Sequence, residues 1–215
     1  MKVLKIISSL ETGGAEKLLT DSVPLYQKAN IKVDVLVLSN SKTHFWKKLI
    51  TQLNGNLIGL TSKSTYNPLL VYKIIPYLKN YDIVHIHLFP ALYWGVLAKW
   101  LSFSKVKIIY TEHSTENRRR KYLIFKIFDR FIYSKIDSIV AISKGVQNNL
   151  KLHLNLKNIL LIYNGIDLNK FSSIRNEISF TFFDPKDFVL IQISSFKLAK
   201  DQATLIRSLL LLPTH

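Results

Sequence analysis

The sequence predicts an α/β fold: a parallel sheet, doubly wound, with helices on both faces. Three observations predict it. Short apolar runs alternate with longer amphipathic stretches up to residue 162, the order that βαβ units require. The apolar runs are hydrophobic on both faces, as strands covered from two sides are. Turn residues stand where the apolar runs end, with Gly13-Gly14 after the first and Asn164-Gly165 after the last.

Taken in order, Val3–Ser8 reads as a buried strand, Glu11–Gly14 as a turn, and Ala15–Lys28 as a helix with apolar residues at Leu18, Leu19, Val23, Leu25 and Tyr26. Ile31–Leu38 is the second strand. His44–Leu53 is a helix, Asn56–Leu60 a short strand and Pro68–Lys79 a helix. Asp82–Leu88 is a strand, Ala91–Leu101 a helix and Val106–Thr111 a strand. A basic loop leads into a helix at Tyr122–Tyr133. Ser138–Ile142, Ser143–Leu152 and Ile159–Ile162 complete the series as strand, helix and strand. These elements make a Rossmann-like domain over residues 1–170. Residues 171–186, where Ser-Ser and Asp-Pro interrupt the pattern, read as a linker. Phe188–Ile193 restarts with a buried strand and Lys200–Leu212 with a helix, so residues 187–215 read as the truncated start of a second domain.

Composition narrows the function. The 215 residues carry 30 Lys+Arg against 14 Asp+Glu, a net +16, yet 48% are hydrophobic. That apolar content supports a packed core, which a disordered basic tail lacks. At roughly 150 residues per domain, the length fits one large domain or one and a half. With no cysteine, disulfide scaffolds, zinc-thiolate sites and cysteine nucleophiles are excluded, and a reducing compartment is expected. The N-terminal apolar run is too short for a secretory signal. The best spanning candidate, Ile83–Leu101, contains His85, His87, Pro90 and Lys99, which favours a strand followed by a helix. The expectation is a soluble cytoplasmic chain with an anionic partner: a phosphate ligand, a nucleic acid or an acidic membrane surface.

The candidate functional residues stand at strand ends. Gly13, Gly14 and Glu16 follow the first strand and open a helix. Glycines there let backbone N–H groups approach an anion, or they serve the turn alone. A dinucleotide site is disfavoured, because G-x-G-x-x-G is missing and no acidic residue ends the second strand. His85 and His87, two apart, share one face of a strand near its C-terminal end, where open α/β sheets bind ligands; each is a ligand-binding group or a satisfied core histidine. Without a nearby carboxylate or third ligand they make a weak metal site, and none is expected. Glu112 and His113 end the next strand, as acid/base or positioning groups or as a polar strand end. Ser143 and Asn164, after two further strands, are candidate substrate contacts, and read independently as a helix N-cap and, with Gly165, as a turn. Arg118, Arg119, Arg120 and Lys121 precede a helix rich in phenylalanine. The stretch fits contact with an anionic membrane, or an ordinary helix packed on the sheet with a solvated basic end. RNA binding lacks an accompanying motif. Lys197 and Lys200, at a strand-to-helix turn, fit neutralisation of a diphosphate.

In sequence order these pieces resemble the retaining glycosyltransferases of family 4, which have the GT-B fold of two facing Rossmann-like domains. The matching segments are Thr12–Glu16, Asp82–His87, Thr111–His113, Ala141–Val146, Tyr163–Phe171 and Phe196–Ile206. The resemblance implies transfer of a sugar from a nucleotide-diphosphate donor to a saccharide or lipid-linked acceptor, in envelope polysaccharide synthesis. It implies that the chain is the acceptor-side half of a GT-B fold, with Gly13-Gly14 facing the donor phosphate or the acceptor. His113 matches the family position beside the reacting sugar. Lys197 and Lys200 match the basic pair that stabilises the leaving diphosphate. No metal or other cofactor is implied, in keeping with the lack of a D-x-D pair. Ser194-Ser195 stands where many members have Gly-Arg, and the Glu-x7-Glu motif that holds the donor does not occur in this sequence. The chain alone is therefore expected to be inactive, a second chain supplying the donor domain being one remedy. A non-catalytic binding or regulatory subunit derived from such a domain is the alternative.

Overall fold

The computed structural model describes residues 1–115, 117–156, 158–169, 184, 186, 188–196 and 198–212. The chain divides into two compact units, Met1–Gly165 and Ile166–His215. The first unit alternates β1 (Lys2–Ile7), α1 (Gly14–Lys28), β2 (Lys32–Ser39), α2 (His44–Gln52), β3 (Leu57–Thr61), α3 (Leu70–Leu78) and β4 (Ile83–His87). It continues with α4 (Ala91–Leu101), β5 (Lys107–Glu112), α5 (Leu123–Tyr133), β6 (Ser138–Ala141), α6 (Lys144–Leu154) and β7 (Leu160–Leu161). A 3-10 turn at Arg118–Lys121 precedes α5.

All seven strands pair in parallel in the order β3-β2-β1-β4-β5-β6-β7. The expected doubly wound parallel sheet is the observed one. The alternation of side chains explains why the strands read as continuously apolar. On one face Val3, Ile7, Val35 and Val37 pack with Leu19 and Val23 of α1 and Trp46 and Leu49 of α2. On the other, Leu4, Ile6, Val84, Ile86 and Ile108 pack under α3, α4, α5 and α6 through Ile74, Val96, Ile132 and Leu150. Burying both faces in this way is the main stabilising term of the unit.

The order reverses between β1 and β4, since the chain runs outward through β2 and β3 before returning to the far side of β1. The C-terminal ends of β1 and β4 at such a switch point are the usual ligand site of doubly wound sheets. The two ends are tied together by the Ser8 hydroxyl, which accepts the amide of Ala91 at 3.2 Å.

The second unit differs from expectation. Among the described residues, no strand is assigned at Phe188–Ile193, and Phe188, Ile191 and Ile193 are exposed. No strand occurs among the described residues of this unit. The expected helix is present in shorter form as α7 (Gln202–Ser208), between 3-10 turns at Leu198–Lys200 and Leu209–Leu211. Asp201 caps it, its carboxylate accepting the Thr204 amide at 3.3 Å. Of the expected linker, only Asp184 and Lys186 fall among the described residues.

Candidate functional site

The strand ends at the switch point bring together three of the expected residues. Parallel register places His85 beside Lys5 and His87 beside Ile7 across β1 and β4. The same register places His87 beside Thr111 across β4 and β5. His85 and His87 share a face with ring centroids 4.2 Å apart. The His85 Nε2 lies 2.8 Å from the Thr111 hydroxyl, and the His87 Nδ1 lies 3.1 Å from Nε2 of His113. His87 is 3% exposed, whereas His85 and His113 are half-buried.

All three imidazoles are held neutral. Burial pushes His85 down to about 3, with the charges of Lys5 and His113 adding to the effect. Burial likewise lowers His87 well below its ordinary value, and brings His113 down to about 4 with help from Lys5. Between neutral rings one nitrogen of the His87–His113 pair must donate. The Nε2 of His87 is buried without a hydrogen-bond partner. An orphaned acceptor costs less than an orphaned N–H. That economy assigns the proton of the pair to Nδ1 of His87 and leaves His113 protonated on its own Nδ1. His113 thus presents a neutral hydrogen-bond donor, suited to an oxygen-rich ligand. Because His87 and His113 spend nitrogens on each other, they are poor joint ligands, and no metal-binding group of three or more such residues occurs among the described residues.

Lys5 was not singled out in the sequence, although a lysine inside an apolar strand is the signal that finds it. It is 2% exposed, donates to the Ser22 hydroxyl at 3.1 Å, and stands 4.3 Å from the Tyr26 ring centroid. Burial brings its amine down to about 7.

Gly13 is the N-cap of α1 and Gly14 its first residue. A Cβ on Gly13 would lie 2.2 Å from a carboxylate oxygen of Glu16, so that glycine makes room for the Glu16 side chain. A Cβ on Gly14 would meet nothing within 4 Å. Gly14→Ala is therefore expected to leave stability in urea unchanged to within about 1 kcal/mol. A larger loss would mean that the backbone, rather than ligand access, needs this glycine.

Glu112 and His113, adjacent in sequence, point to opposite faces of the sheet. Glu112 is 4% exposed and faces α5, where its carboxylate accepts from Arg120, from the Tyr133 hydroxyl at 3.3 Å and from the Ser114 amide at 3.2 Å. Its carboxylate is thus committed to partners inside the protein. Arg119 and Arg120 are not membrane contacts, because both turn inward. Arg120 also donates to Asn149 of α6 at 2.7 Å. Burial opposes its charge, but the Glu112 carboxylate outweighs that and holds it above its ordinary value. Arg119 pairs with Asp129 at 3.3 Å and lies over the Phe89 and Tyr93 rings, at 4.2 and 5.1 Å. The side chains of Arg118 and Lys121 are not among those described. Arg119 and Arg120 thus tie the end of β5 to α5 and α6.

Ser143 caps α6, its hydroxyl accepting the Val146 amide at 3.2 Å. Asn164 is exposed after β7. Lys200 is exposed in the second unit, and Lys197 lies outside the described residues. Among the described residues, no helix is long and apolar enough to cross a membrane.

Comparison with known proteins accords with this architecture. The model of Glycosyltransferase Family 4 matches residues 12–170. An uncharacterized glycosyltransferase of Methanocaldococcus jannaschii is 32% identical over 115 residues, covering 48% of this chain and 28% of that protein. Among solved structures, HepE of Anabaena in complex with UDP and glucose superposes with a TM-score of 0.62 at 21% identity, over 79% of this chain and 46% of HepE. A glycosyltransferase of Rickettsia africae gives 0.63 at 21% identity, over 79% of this chain and 44% of that one. The chain thus spans less than half the length of each of these proteins. With the family match extending over most of its residues, the chain belongs to glycosyltransferase family 4.

Proposed function

We propose that the chain is the acceptor-side domain of a retaining glycosyltransferase. It uses a nucleotide-diphosphate sugar and acts on a saccharide or lipid-linked acceptor of an envelope polysaccharide, at the cytoplasmic side of the membrane. The observation that carries this reading is the neutral His113 at the C-terminal edge of the sheet, backed by His87, in a chain of family 4. A neutral donor there binds a sugar hydroxyl without placing a competing positive charge beside the reacting carbon. HepE was solved with UDP and with UDP-glucose, which supports a nucleoside diphosphate sugar as donor. Lys197 and Lys200 would stabilise the leaving diphosphate, and the N-terminus of α1 at Gly13-Gly14 would face ligand at the switch point. No metal or other cofactor is required. A second chain can supply the donor-binding residues that this sequence lacks.

Two assays test the reading. The 215-residue chain alone is expected to give negligible hydrolysis or transfer across a panel of nucleotide sugars. Joined to the donor-side domain of another family 4 enzyme, it should impose its own acceptor preference. In that chimera His113→Ala should lower transfer on the order of 100-fold. Turnover by the chain alone, or acceptor choice that follows the donor-side domain, would sink the proposal.

A further inference from the structure

The outward face of α5 is apolar where a surface helix is ordinarily polar. Its inner face is accounted for: Asp129, Ile132 and Tyr133 are buried against the sheet and neighbouring helices. Yet Ile124, Ile127, Phe128 and Phe131, at the i, i+3, i+4 and i+7 spacing of a single helical stripe, are exposed by 60, 63, 54 and 37%. The stripe continues beyond the helix. The ring of Trp100, at the end of α4, meets Phe131 edge-on at 5.5 Å, and Phe103 just after it is 90% exposed. The result is one contiguous apolar patch with aromatic side chains at one end, of the kind that marks an interaction surface.

The charge around the patch selects its partner. Arg130 and Lys135 are exposed on the same segment, Lys135 lying 5.5 Å from the Phe131 ring centroid. Lys126 stands between the apolar positions. The one acidic residue of α4 and α5 is Asp129, and it is fully buried. A second copy of this chain would bring a +16 molecule against a +16 molecule across this basic rim. An anionic bilayer meets both features at once: the aromatic and aliphatic side chains enter the headgroup boundary while the cations stay with the phosphates.

We infer that the outer face of α5, extended by Trp100 and Phe103, is a membrane-seating surface that lays this domain on an anionic bilayer. It replaces the arginine run as the contact, since Arg119 and Arg120 are committed inside the protein. It does not depend on the acceptor being lipid-linked, so its failure and that of the proposed activity are separable.

The test is co-sedimentation of the full chain with vesicles of phosphatidylcholine alone, or of equimolar phosphatidylcholine and phosphatidylglycerol. Binding to the mixed vesicles is expected to be at least about tenfold tighter than to phosphatidylcholine. The I127E/F128E double variant should lose at least about tenfold of it while keeping the wild-type circular dichroism, because both side chains are solvent-facing. Tryptophan emission should shift to the blue on the mixed vesicles, and Trp100→Phe should remove most of that shift. Binding retained by I127E/F128E, binding indifferent to phosphatidylglycerol, or no binding at all would overturn the inference. A dimer in sedimentation velocity that I127E/F128E abolishes would assign the face to a second copy instead.

Discussion

Asp129→Ala is expected to destabilise the chain by about 3–5 kcal/mol in urea denaturation, the cost of removing one partner from a buried ion pair. Asp129 is fully buried and has three partners. One carboxylate oxygen accepts the Tyr93 hydroxyl at 2.7 Å and faces Arg119 at 3.3 Å; the other lies 2.9 Å from Nε2 of His153. Arg119 is 7% exposed and makes no side-chain hydrogen bond among the described residues, so Asp129 is its countercharge. With alanine in place, the guanidinium keeps only the Phe89 and Tyr93 rings. Arg119→Met should cost less, because Asp129 would keep Tyr93 and His153, and the methionine would fill much of the aliphatic volume. The two changes together should cost less than their sum. Equal costs for the two single changes, or strict additivity, would mean that the pair does not act as a unit.

The same cluster shows where the sequence was legible and where it was not. Strands β1, β2, β4 and β5 could be read because each is apolar on both faces and is closed by polar residues. Their common destination, a parallel sheet, follows from the helices between them. The histidine pair could be placed as well, since a spacing of two in a strand fixes a shared face. The basic run misled because its partners are distant: Arg120 is satisfied by Glu112 and Asn149, and Arg119 by Asp129. Local sequence shows the charge and not the carboxylate that folds over it. Glu112 and His113 part at the strand end, since successive side chains there turn to opposite faces.

Stability should climb with pH from about 4 to about 10, and Lys5→Met should flatten the upper half of that climb. His113 has a folded pKa of about 4 and His85 of about 3, and His87 is lowered as well. Unfolded, each returns to about 6.5. Between those values the unfolded chain holds more protons, so the contribution is complete above pH 6.5 and is lost as pH falls toward 4. The loss is on the order of 1.4 kcal/mol per unit for each histidine. Three groups lowered together make acid pH destabilising for this unit. Lys5 extends the same slope upward. Its amine titrates near 7 when folded and near 10.5 when unfolded, so its cost fades only as pH rises through that window. Above pH 10 the buried tyrosines reverse the trend, because burial raises Tyr110 and Tyr133 and their ionisation then favours the unfolded chain. Lys5→Met removes an amine that the fold must keep largely dry, and should stabilise the chain at pH 7 by on the order of 2–4 kcal/mol. It also removes a charge that depresses His85, His87 and His113, so their NMR titrations should move upward in the variant. Urea midpoints at pH 5, 7 and 9 decide the matter. A wild-type maximum at neutral pH, or histidine titrations that ignore Lys5→Met, would show that Lys5 does not set the electrostatics of this site.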